Sequence, residues 1–109
     1  MDYRYEGYDS LFKENVARHF PELFDDFGPL GWLIIKAQCW QESRFKEDAV
    51  SHVGAQGLMQ LMPGTDMMID GDIDGFDVEG NINNGVRYLA EQYTHLKEIP
   101  HKTDRIKAA

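Results

Sequence analysis

The chain has 109 residues, and 19 acidic against 11 basic side chains give it a formal net charge of −8. That length holds one domain with a modest core. The acidic balance excludes a duplex nucleic-acid binder that works by releasing counterions from a basic face, and no apolar run is long enough to span or insert into a membrane. A lone cysteine, Cys39, excludes an internal disulfide and a Cys-rich zinc site.

Residues 1–8 are rich in tyrosine and are expected to form an extended arm ahead of a domain over 9–109. Asp9 or Ser10 can cap a first helix, with Leu11, Phe12, Val16 and Phe20 at helical spacing. Pro21 interrupts it, and residues 22–27 make a short helical turn closed by Gly28-Pro29. The stretch from Leu30 to Trp40 is apolar on almost every face, which predicts a buried central helix reaching Ser43 or Arg44, with Trp32 and Trp40 in the core. Ser51 to Gly64 is too rich in glycine for a long helix and is expected to be loop with short extended pieces. A short helix follows over 63–69, then an acidic loop over 70–80. Asn81 is expected to cap a last helix bearing Ile82, Val86, Leu89 and Tyr93 on one face, with Pro100 beyond it. Asp104 is placed to cap one more helix over 105–109. The sum is a mainly α fold with few, short strands.

Glu42 lies at the end of the most apolar helix, which can hold a catalytic group rigidly. Partial burial and the negative helix end would both disfavour its charged form, so a raised pKa is expected. A carboxyl kept protonated near neutral pH can act as a general acid. Glu47 and Asp48 follow in a polar stretch and read as solvated charges rather than as a second catalytic acid.

After Glu42-Ser43 comes Gly54-Ala55-Gln56-Gly57-Leu58-Met59-Gln60-Leu61-Met62-Pro63-Gly64-Thr65. This run resembles the lytic transglycosylases of the soluble, goose-lysozyme-like family. Their signature is a Glu-Ser pair followed by Gly-Ala-x-Gly-Leu-Met-Gln-Leu-Met-Pro-x-Thr. A weaker match continues at Asn81, Ile82, Gly85, Arg87, Tyr88 and Leu89. The resemblance covers residues 30–109 and implies a lysozyme-like fold.

It also implies a reaction. The β-1,4 bond between N-acetylmuramic acid and N-acetylglucosamine in the peptidoglycan glycan strand is cleaved without water, leaving a 1,6-anhydro product. Glu42 would be the acid and then the base. Ser43, Ser51, Met59, Gln60 and Met62 are the expected substrate-binding residues, with Leu58 and Leu61 in the core. No cofactor is implied, and the place of work is the periplasm or cell envelope, in a phage or secretion system among other settings. The family's Ala-Tyr-Asn-Ala-Gly segment does not occur in the 109 residues, so the resemblance implies an incomplete C-terminus. Two alternatives stand beside this reading: a muramidase that hydrolyses the same bond with water, and a non-catalytic glycan-binding fragment.

The acidic loop matches the first half of a calcium-binding EF-hand loop, with Asp70, Asp72 and Asp74 at positions one, three and five and Gly75 at six. The twelfth position is Asn81 instead of glutamate, so no metal is the leading expectation and this triplet the weak candidate. His19, His52, His95 and His101 are scattered and carry no expected metal role.

Overall fold

A computed structural model of the chain describes residues 2–69 and 74–97. The acidic pair Asp70 and Asp72, Pro100, His101 and the expected helix after Asp104 lie outside the described residues. Five helices follow in order: α1 (Asp9–His19), α2 (Glu22–Phe27), α3 (Leu33–Ser43), α4 (Pro63–Ile69) and α5 (Val78–Lys97). Among the described residues the only β pairing is two isolated antiparallel bridges, Val50 with Gln56 and Gln56 with Leu61. The fold is mainly α, as the sequence pattern and the lysozyme-like resemblance both imply.

The core is made where α1 crosses α3 and α5. Phe12 and Val16 of α1, Ile35 and Cys39 of α3, and Ile82 and Val86 of α5 are buried there, with Leu23, Phe45 and Leu58 closing the sides. The 3.6-residue period puts each set on one helical face. Phe45 is the hub of an aromatic cluster, with ring centroids 5.2 Å from Trp40, 5.7 Å from Tyr8 and 6.4 Å from Phe12. The first residues do not run out as an extended arm. They form turns, Tyr3 lies edge-on to Trp40, and Tyr8 is buried with its hydroxyl donating to Glu47 Oε2 at 2.5 Å.

Three local expectations are corrected. Neither Asp9 nor Ser10 caps α1: Tyr8 holds the cap position without a side-chain bond, and Asp9 turns to Lys36 Nζ at 2.8 Å. The central helix is not buried all round. Leu33 and Ile34 are exposed on α3 and Trp40 is only half-buried, because the described elements cover one side of the helix. Asn81 does not cap α5, which begins at Val78; Asp77 Oδ2 accepts from the Gly80 amide instead. A carboxylate there meets the positive helix end, whereas Asn81, within the first turn, points inward.

Candidate active site

The α3 helix carries Glu42 one residue from its end. The next two residues turn the chain sharply, Arg44 at φ 54° and Phe45 at φ 61°. Left-handed backbone at a bulky residue costs on the order of 1–3 kcal/mol and needs support from its surroundings. The buried Phe45 ring supplies it, gripped by Tyr8, Phe12 and Trp40. The turn lets the glycine-rich segment come back beside the end of α3 that carries Glu42.

That segment is held by a small set of polar contacts. Gly57, at φ 77°, faces Gly75 and Asn81 so closely that a Cβ there would sit 2.3 Å from the Gly75 carbonyl oxygen. Asn81 joins three pieces of backbone. Its Oδ1 accepts from the Met59 amide at 2.6 Å, and its Nδ2 donates to the carbonyls of Gln56 at 3.0 Å and Gly75 at 2.9 Å. Gln60, also left-handed at φ 52°, donates its Nε2 to the carbonyls of Ala49 and Gly57. Gly85 of α5 lets Met59 lie directly on the helix, since a Cβ would stand 2.6 Å from Met59 Cγ.

The result is a cleft of about 120 Å³ lined by Gln38, Glu42, Met59, Gln60, Leu61, Gly85, Tyr88 and Leu89. Glu42 is exposed at its edge, and Gln38, one turn earlier, donates Nε2 to Glu42 Oε1 at 3.0 Å. The partial burial expected at Glu42 is not supplied by the described residues: the carboxyl is open to solvent. Arg44 lies over the Trp40 ring at 4.9 Å.

The other expected site residues divide. Met59 and Gln60 line the cleft beside Glu42. Met59 is largely buried, so it offers the cleft an edge of thioether rather than a broad face. Gln60 uses its amide nitrogen on the backbone and keeps Oε1 as an acceptor. Ser43 is buried and donates to the Cys39 carbonyl at 3.2 Å, turned into the core. Ser51 accepts from the amides of Val53 and Ala55, which closes the loop around Gly54. Met62 is exposed outside this cleft. Leu58 and Leu61 are buried in the core. Asp74 is exposed and accepts from the Phe76 amide, and among the described residues no three His, Cys, Asp or Glu side chains gather to hold a metal.

Cys39 is fully buried one turn before Ser43, and its thiol donates to the Leu58 carbonyl at 3.4 Å. Burial pushes this thiol up to about 12, with the nearby Glu42 charge adding to the effect and the Ser43 contact opposing it. It is packing, not a nucleophile. The sequence reading missed Gln38. The available signal was its i−4 spacing from Glu42, which puts both on one helix face.

A family model described as the transglycosylase SLT domain matches residues 31–109. A membrane-bound lytic murein transglycosylase F of Haemophilus influenzae is 35% identical over 96 residues, which cover 85% of this chain and 19% of the relative. One of Desulfosudis oleivorans is 41% identical over 75 residues, 69% of this chain and 16% of that protein. One of Alteromonas mediterranea is 33% identical over 95 residues, 84% and 20% respectively. The chain thus spans about a fifth of the length of the curated relatives it matches.

Proposed function

The chain belongs to the transglycosylase SLT domain family, and from that premise we propose that it cleaves the glycan strand of peptidoglycan between N-acetylmuramic acid and N-acetylglucosamine, with Glu42 as the acting acid and base. The observation that carries this reading is the position of Glu42: a carboxyl at the end of a core-anchored helix, at the edge of a cleft walled by Met59, Gln60 and Tyr88. In the step, Glu42 gives its proton to the glycosidic oxygen as the bond to the anomeric carbon breaks. The muramyl 6-hydroxyl then bonds to that carbon, and its proton returns to Glu42. Atoms balance without water, and one carboxyl serves both transfers.

The polar groups support the same reading. Gln38 orients the carboxyl through Oε1, which leaves Oε2 for the substrate. Gln60 Oε1 accepts from a sugar hydroxyl or acetamido N–H, and the apolar edge of Met59 packs against a pyranose ring. Ser51 and Met62 belong to the glycan path only as a rim farther along the loop, and Ser43 supports the helix from inside. Residues 9–109 belong to the catalytic domain, and residues 2–8 are packed onto it. The periplasm or envelope is the place where this substrate occurs. No helix among the described residues is long and apolar enough to cross a membrane.

A second reading, a glycan-binding module without turnover, is favoured by one observation. Glu42 is exposed at the edge of the cleft, so the described residues do not enclose it with the bond it would cleave. Digestion of purified murein followed by mass analysis separates the readings. Muropeptides lighter by one water than the hydrolytic product support the proposal. Hydrated products mean a muramidase, and no soluble product means a binding module.

A further inference from the structure

We propose that the chain carries a second saccharide site on the back of α3, away from Glu42. Leu33, Lys36, Ala37 and Trp40 recur along one side of that helix, while Gln38 and Glu42 lie on the other. The first side forms the floor of a groove of about 640 Å³, within the range of ligand clefts, about 300–1,000 Å³. The residues before α1 make its other wall, and Tyr3, Trp32 and Trp40 supply its aromatic surface.

Two features select the ligand. The first is an incompletely satisfied polar pair in an otherwise apolar groove. Lys36 is buried, and its ammonium stands 2.8 Å from Asp9 Oδ1. That oxygen is itself buried and closed off by the ion pair, while the ammonium, with three donors, keeps capacity for a further acceptor. A ligand with hydroxyl groups can accept from the ammonium.

The second feature is charge balance. Arg4 is paired with Asp2 and Lys36 with Asp9, and Lys13 over the Trp32 ring offsets Glu6, so no net charge draws an ionic ligand. A neutral, polyhydroxylated molecule with an apolar ring face fits both features: its hydroxyls meet the ion pair and its C–H face meets the aromatic wall. The choice of an N-acetylated sugar as that molecule rests on the proposed function, since a polymeric glycan reaching the Glu42 cleft can be gripped at a second point. Such two-point holding raises avidity without altering the chemistry at Glu42.

The test uses the full chain, labelled with ¹⁵N and titrated with the N-acetylglucosamine trisaccharide. The chain has two tryptophans, and both line this groove, so its two indole N–H signals report on it. The side-chain amides of Gln38 and Gln60 report on the Glu42 cleft. Ala37 is exposed at mid-groove, and Ala37→Tyr fills the space without touching the core. The indole signals should move saturably, and Ala37→Tyr should weaken that binding at least tenfold while the glutamine response is unchanged. Indole signals that stay still to about 10 mM sugar, far weaker than a 1 mM site, overturn the proposal. So does an indole response that survives Ala37→Tyr. If only the glutamine amides move, the back site fails and the Glu42 reading stands. If only the indoles move, the reverse holds.

Discussion

Replacing Asn81 distinguishes a buried bridge from a helix cap. Aspartate is as good a helix cap as asparagine, so a capping residue tolerates Asn81→Asp with little change. In the structure Asn81 is buried, and its amide nitrogen donates to two carbonyls, those of Gln56 and Gly75. Aspartate keeps an acceptor for the Met59 amide but sets a second oxygen against those carbonyls. Two hydrogen bonds are lost at about 1 kcal/mol each, and a buried carboxylate is added beside unpaired acceptors, so the loss should be about 3 kcal/mol or more. Asn81→Ala loses all three bonds and leaves a small cavity, which puts it at about 3–4 kcal/mol. For a chain near 100 residues, 3 kcal/mol lowers Tm by roughly 12 °C or more. Urea unfolding followed by circular dichroism reads both variants. An Asn81→Asp protein within about 0.5 kcal/mol of the parent would refute the bridge and restore the cap.

Other expectations follow from the same packing. Gly85→Ala gains about 1 kcal/mol of helix propensity but drives a methyl to 2.6 Å from Met59 Cγ, so a net loss of about 1–2 kcal/mol and a reshaped cleft should appear in unfolding curves and in the Met59 methyl signal. Gly57→Ala meets both a left-handed φ and the Gly75 carbonyl, and should cost more than Gly85→Ala, about 3 kcal/mol, by the same assay. The Cys39 thiol, raised to about 12 by burial, holds its proton in the folded chain after the unfolded chain has lost it. Its contribution is therefore whole below about pH 8.5 and shrinks as pH rises toward 12, and Cys39→Ala should flatten that part of a stability–pH curve. At pH 8 the native thiol should resist a disulfide reagent until the chain unfolds.

The helices were legible because their signals are local. Pro21 and Gly28-Pro29 punctuate the chain where the helices break, and Pro63 to Ile69 forms the expected short helix. The glycine-rich segment was legible as a loop for the same reason, with Gly54 and Gly57 both at positive φ. Exposure was not legible. An apolar run reads as buried whether or not anything covers it, and Ile34 and Leu33 are exposed because no described element lies against that side of α3. Asn81 was misread because a cap and a buried bridge use the same residue type, and only the position of Gly57 and Met59 across the fold separates them. Ser43 and Ser51 resemble ligand contacts in the motif, yet their hydroxyls are used by the Cys39 carbonyl and by the loop amides. Side-chain commitments of that kind are set by tertiary contacts, which spacing alone does not reveal.

The role of Glu42 is tested most directly by Glu42→Gln, which keeps the shape of an exposed side chain and removes its ability to give and regain a proton. Release of soluble fragments from purified murein should fall by a factor of about 10²–10⁴, with the unfolding curve unchanged. Undiminished release by the folded Gln variant would contradict the account.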